Sequence, residues 1–158
     1  MMNYKIISFI FIIGTLYFHR DSMLDKGISN TNVIIQIEEE SDIESKHVYK
    51  VFREIEAAVS SNTVNPISTY LHKQVYINLP GVEGGYFSGN QAVYILQNYF
   101  ATHKIINFKF SKIRVTGISP FATGGGSYMV KGKQEILQIY VGLTKQSGQW
   151  AIAQFNVY

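Results

Sequence analysis

From Phe108 to Tyr158 the chain carries strand signals and no helical period, and this third of the sequence constrains the fold more than any other part. Phe108 and Phe110 set one alternating phase, while Ile113 and Val115 set the other. A β-bulge near Ser111-Lys112 reconciles the two phases by re-aiming the side chains, and bulges of that kind bend a sheet. Runs at Ser127–Lys131 and Glu135–Lys145 follow, and Ser147-Gly148 turns the chain back into Gln149–Tyr158. A two-residue loop there pairs Lys145 with Trp150, Leu143 with Ile152 and Ile139 with Asn156. In that register one face collects Leu137, Ile139, Val141, Leu143, Trp150 and Ile152. The other collects Gln138, Tyr140, Thr144, Ala151, Ala153, Phe155 and Val157. The expectation is a four-stranded meander that is apolar on both faces, so that something must cover the second face, a partner subunit being the simplest candidate.

Helices precede this meander. Val48, Val51, Phe52, Ile55, Ala58 and Val59 recur at spacings of three and four, which predicts an amphipathic helix starting near His47 and fading at Ser60-Ser61-Asn62. Asn65 as cap with Pro66 at the first helical position predicts a short second helix with Ile67, Tyr70 and Leu71 inward. Val75 to Pro80 alternates as a strand and leads into a turn region at Gly81–Gly85. Ser88 and Gln91 then have the spacing of a capping box at the start of a third helix that ends about Thr102.

The N-terminal segment differs from the rest. Lys5 precedes an apolar run from Ile6 to Phe18, and thirteen residues at about 1.5 Å each cover roughly 20 Å, short of the roughly 30 Å hydrocarbon core of a bilayer. Residues 1–19 read as an export signal or N-terminal membrane anchor, the anchoring run being 6–18. Residues 20–46 hold seven of the eleven acids and read as a solvated acidic linker with a β-prone island at 33–37. The domain is expected over 47–158, exported, and periplasmic or facing the periplasm from a membrane anchor.

In its order of elements the chain from about residue 47 to 158 resembles the nuclear-transport-factor-2-like fold. Ile55-Glu56-Ala57-Ala58, Leu79-Pro80-Gly81-Val82-Glu83-Gly84, the Ser88–Gln91 cap and Gly148-Gln149-Trp150-Ala151-Ile152-Ala153-Gln154-Phe155 are similar to a group of exported bacterial domains known only as a domain of unknown function. The resemblance implies an α+β cone, a curved antiparallel sheet packed by three helices from the N-terminal half. In relatives such a cone holds small apolar ligands or forms dimers. Enzymes of the superfamily, such as ketosteroid isomerase, place an aspartate, or a histidine with a carboxylate, inside the cone to move a proton.

Residues suited to that chemistry are scarce. From Ala57 onward there is no aspartate and only Glu83, in a Gly-rich turn, and Glu135, near a strand junction. His72 and His103 follow the second and third helices, where a helix C-terminus suits partial positive charge. Neither has a metal-spaced partner, and the chain has no cysteine, so no metal site and no cofactor is expected. Gly84-Gly85 and Gly124-Gly125-Gly126 lack the Lys-Ser or Lys-Thr of a phosphate loop, and the triple glycine reads as a hairpin, bulge or close backbone approach.

Residues 57–158 carry eight lysines or arginines against those two glutamates. Lys104, Lys109, Lys112 and Arg114 cluster beside Phe108 and Phe110, a basic-aromatic pattern also seen on nucleic-acid surfaces. Because the phenylalanines alternate as core residues do, no nucleic-acid partner is expected. Tyr76, Asn78, Tyr140, Trp150 and Gln154 are the candidate ligand-binding residues, since strand positions around a cone offer uncharged hydrogen bonding with aromatic contact. The functional expectation is a non-enzymatic module that binds a small apolar ligand or forms a homodimer through the sheet, the alternative being a small isomerase or dehydratase.

Overall fold

The computed structural model describes residues 27–158 other than His72. The export segment 1–19 and the candidate base His72 lie outside the described residues. Residues Glu38–Tyr158 form one compact unit, which holds the sheet.

Helix α1 spans Gly27–Ser60. It begins twenty residues before His47, so the expected linker is helical from Gly27 onward and the island at 33–37 is helix, not strand. The reason is local: no proline or glycine lies between Ile28 and Ser60, and the Glu, Gln, Lys and Ala residues there are good helix formers. The expected apolar stripe is correct in detail, with Val48, Val51, Phe52, Ile55, Ala58 and Val59 all buried.

A 3-10 helix, Asn65–Tyr70, carries Pro66 in its first turn and buries Ile67. Its first turn is closed by Ile67 N–H donating to Val64 C=O at 3.0 Å, so Val64 occupies the cap position expected for Asn65. Helix α2, Gly89–Thr102, starts with the expected capping box: the Gln91 N–H donates to Ser88 Oγ, and the Ser88 N–H donates to Gln91 Oε1 at 2.9 Å.

Six strands form one sheet: β1 (Val75–Leu79), β2 (Val82–Phe87), β3 (Lys104–Arg114), β4 (Phe121–Val130), β5 (Lys133–Gln146) and β6 (Gln149–Val157), in the order β2-β1-β6-β5-β4-β3. All neighbours are antiparallel except β1 and β6, which run parallel because the chain passes through β2 and α2 before entering the meander. The Gly81–Gly85 turn region is shorter than expected. Leu79 already pairs with Val82 around Pro80-Gly81, which places Gly84 and Gly85 within β2. The turns Lys131-Gly132 and Ser147-Gly148 are two-residue loops with positive φ at both positions, the backbone that matches strand twist in a tight hairpin.

The strand register shifts at four places, and two of these bulges bear on the expected meander. The first is the expected one: Phe110 pairs with Gly124 and Lys112 with Thr123, leaving Ser111 extra. The second was not legible. Gly142 pairs with Gln154 but Leu143 with Ile152, so Ala153 is extra in β6. Lys145–Trp150 and Leu143–Ile152 pair as expected, whereas Ile139 meets Val157 instead of Asn156. Because side chains alternate, this one-residue slip moves Phe155 and Val157 onto the helix-facing side, where both are buried. The sheet is therefore apolar on one face only. The helix-facing side holds Ile77, Leu137, Ile139, Val141, Phe155 and their neighbours beneath α1 and α2.

The triple glycine lies mid-strand in β4, where β3 curls closely across it. A Cβ on Gly124 would overlap the Lys109 carbonyl and approach Phe110 Cα to 2.7 Å, and one on Gly126 would overlap the Asn107 carbonyl. Close backbone approach is thus the reason for these glycines.

Candidate functional site

The interior of the cone is filled by side chains. Phe52, Phe100, Phe108, Phe110 and Phe155 belong to one buried cluster, with edge-to-face contacts such as Phe52–Phe110 at 6.0 Å and Phe108–Phe110 at 5.0 Å. One carboxylate enters this region, and sequence reasoning passed over it. Glu56, on α1, is 8% exposed, accepts the Phe110 N–H at 2.7 Å and pairs with Arg53 at 2.5 Å. Both of its oxygens are thus held. Glu83 and Glu135 are exposed on strands.

An open, mostly apolar cleft of about 920 Å³ lies at the C-terminal end of α2. Its walls are the α2 face of Tyr94, Ile95 and Tyr99, the Pro80–Val82 turn, and Val130-Lys131 from the β4–β5 turn. Tyr99 is 3% exposed, and its hydroxyl is buried with no hydrogen-bond partner. Burial chiefly, with the neighbouring Tyr128 adding, pushes its pKa up to about 12. The phenol therefore stays protonated at neutral pH.

His103 stacks on the Tyr99 ring at 4.1 Å and lies 5.4 Å from the Tyr128 ring. Its Nδ1 is 3.2 Å from the Tyr99 carbonyl oxygen, which can only accept, so Nδ1 carries the proton and Nε2 is the acceptor of the neutral ring. Thr102 Oγ1, 2.9 Å from Nδ1, fits the same tautomer because its own hydroxyl can donate to the Asn98 or Tyr99 carbonyl. Among the residues singled out from sequence His103 lies in this cleft, but the site itself was missed. Tyr99 reads simply as part of the apolar face of α2, and the opposite walls are two turns distant in sequence.

The candidate ligand residues Tyr76, Asn78, Tyr140 and Gln154 lie elsewhere, together, on the sheet face away from the helices. Tyr76 pairs with Gln154, while Asn78 and Tyr140 both pair with Asn156. Trp150 does not join them. It is 8% exposed on the helix-facing side near α1, with Lys145 Nζ 5.7 Å above its ring. The four residues form part of a strip crossing every strand. Lys112 Nζ lies 5.7 Å over Phe121, whose ring stacks on Tyr140 at 5.8 Å and 18°. Tyr140 in turn lies over Gly142, where a Cβ would come 3.3 Å from its hydroxyl. Beyond Gln154 and Asn156, Tyr76 packs edge-on to Tyr86 at 5.2 Å.

A six-stranded curved sheet wrapped on one side by α1, a 3-10 helix and a capped α2 defines an α+β protein of the nuclear-transport-factor-2-like class. The chain belongs to the family described as Domain of unknown function (DUF4783), whose model matches residues 52–157. A DUF4783 family protein from Bacteroides ovatus is similar at 17% identity and a TM-score of 0.56, over 66% of this chain and 90% of that one. A ketosteroid isomerase-like protein from Erwinia carotovora atroseptica gives 12% identity and a TM-score of 0.58, over 72% and 94%. An LEH-like epoxide hydrolase from M. tuberculosis gives 10% and 0.56, over 72% and 82%. At these identities the likeness is one of fold. No curated protein matches the chain.

Proposed function

We propose that this protein is a non-enzymatic binding module of the cell envelope, which holds a small, mainly apolar ligand in the cleft at the end of α2. The observation that carries the reading is the buried, unpartnered hydroxyl of Tyr99 beside an apolar opening of about 920 Å³. Ligand sites combine an apolar lining with a few fixed polar groups, and Tyr99, His103 and Lys131 supply that minority here. Export rests on Lys5 and the apolar run Ile6–Phe18.

The isomerase or dehydratase alternative has weaker support. A proton-moving carboxylate must face a cavity, whereas Glu56 is engaged by a backbone N–H and a guanidinium, and Glu83 and Glu135 are exposed. Homodimerisation through the sheet loses the double apolar face that suggested it.

The test is fluorescence titration of the full chain with N-phenyl-1-naphthylamine, a neutral apolar probe. Saturable binding is expected, weakened at least tenfold by Tyr94→Asp at a position 66% exposed, where folding is insensitive. Ile95→Glu serves as the second variant. Binding unchanged by both substitutions would place the ligand elsewhere, and no saturable binding would end the proposal. Fusion of the first 46 residues to a reporter active only outside the cytoplasm tests export.

A further inference from the structure

The outward sheet face has a chemistry that the cleft does not use. On the edge strand β3, Lys109, Lys112 and Arg114 share this face, since they pair with Gly125, Thr123 and Phe121, which lie on the outward side of β4. The ion pairs among the described residues are Lys50–Glu54, Arg53–Glu56 and Lys145–Glu44, so none of these three cations is neutralised by a carboxylate there. Across β4, β5, β6 and β1 the same face is uncharged: Phe121 and Thr123, then Gln138 and Tyr140, then Gln154 and Asn156, then Tyr76 and Asn78. The exposed Gly125 leaves the floor low, and a hollow of about 420 Å³ opens beside Gly125, Gln138 and Tyr140. Asn156 is 4% exposed, and its Oδ1 has no hydrogen-bond partner, although its Nδ2 donates to Tyr158 Oη at 3.1 Å.

We infer that this strip is a binding platform for an acidic glycan chain running across the strands, with its carboxylates on β3 and its hydroxyls on the amides and phenols beyond. The six strands span about 24 Å at roughly 4.8 Å per interval, enough for several sugar units. Phe121 and Tyr140 are half-buried on this face, and aromatic rings partly open to solvent suit the apolar faces of sugar rings. Neutral amides suit their hydroxyls.

The charge distribution selects this occupant. A nucleic acid carries a phosphate at every nucleotide and needs cations along its whole track, whereas here they stand on one strand alone. A second copy of the chain meeting this face about a two-fold axis would bring cations and no carboxylates. Sparse negative charge on a hydroxyl-rich polymer matches the arrangement.

The experiment is affinity electrophoresis of the full chain in gels containing carboxymethyl-dextran of low substitution, a sparsely charged acidic glycan, or dextran, or neither. Retardation by the carboxymethyl-dextran, absent with dextran and relieved by salt, is expected. Combined Lys112→Glu and Arg114→Glu should weaken it at least tenfold and Tyr140→Ala at least fivefold, with the unfolding temperature of each variant checked in parallel. Lys133→Glu, in the β4–β5 hairpin away from the strip, should leave it unchanged. Equal retardation by dextran, equal loss in Lys133→Glu, or binding indifferent to Tyr140→Ala would each overturn the assignment. So would tighter binding to single-stranded DNA, or sheet-mediated dimerisation that removes the face from solvent. Because the Tyr94→Asp variant lies in the cleft, its retention of glycan binding separates the two surfaces.

Discussion

The carboxylate of Glu56 on α1 accepts the main-chain N–H of Phe110, on the outermost strand of the sheet, at 2.7 Å. Phe110 sits directly before the Ser111 bulge. Two further residues at the end of α1 act on the same edge: Ser60 Oγ donates to Phe108 C=O at 3.0 Å, and Asn62 brackets Ile105, accepting its N–H at 2.6 Å and donating to its C=O at 3.0 Å. An exposed strand edge is a template for unwanted pairing, and α1 closes this one with side chains.

Removing that closure has a calculable effect. Glu56→Ala leaves a buried N–H without an acceptor and Arg53 without its partner, a loss of about 2–3 kcal/mol in urea unfolding. Glu56→Gln keeps an acceptor and should lose about half as much. Equal stability of wild type and Glu56→Ala would show that water replaces the carboxylate at no cost.

The glycines of β4 should differ sharply from one another. Gly126→Ala forces a Cβ into the Asn107 carbonyl and should cost about 3 kcal/mol or more, or prevent folding. At Gly125 the nearest atom to an added Cβ is the Leu137 oxygen at 3.3 Å, so Gly125→Ala should cost less than about 1.5 kcal/mol. Thermal unfolding of the two variants makes the comparison.

Alkaline pH should weaken the fold through two tyrosines. Burial, then the hydrogen bond from Tyr70 Oη to Glu54 Oε2 at 2.7 Å and the charge of that carboxylate, push the Tyr70 pKa up to about 12, and Tyr99 is also raised to about 12. A raised folded pKa means that the native state holds its protons longer than the unfolded chain, which releases them near 10. The associated stability is complete below pH 10 and is lost as pH rises from 10 to 12. Melting temperatures across that window should fall, and less steeply in Tyr70→Phe and Tyr99→Phe.

Tyr99→Phe carries a second expectation. It removes a buried hydroxyl that has no partner, so the unliganded protein should gain up to about 1 kcal/mol. A loss of that size would reveal a hydrogen bond to the hydroxyl.

Most of the architecture was legible because short-range signals and burial agree. The Val48–Val59 stripe, the Ser88–Gln91 box, the Ser147-Gly148 turn and the Ser111 bulge each depend on a few adjacent residues. The second bulge did not announce itself, since Ala153 sits in a run that alternates acceptably in either register. That single residue decided whether Phe155 faces α2 or solvent, and with it the character of the outward face. Of the candidate ligand residues, four share one surface because they alternate in phase on β1, β5 and β6, and Trp150 falls on the other side of the slip. The cleft was invisible because its walls meet only in three dimensions. Glu56 was unrecognised because its partner, the Phe110 N–H on the edge strand β3, lies 54 residues away.

The central claim is that ligand occupies the cleft at the end of α2 and not the interior of the cone. Photolabelling of the full chain with an apolar alkyl-diazirine probe, followed by peptide mass spectrometry, tests it directly. Adducts on residues 94–103 and 130–131, reduced in Tyr94→Asp, are predicted. Adducts concentrated on Phe52, Phe100 or Phe155 would show that the probe enters the cone and would contradict the account.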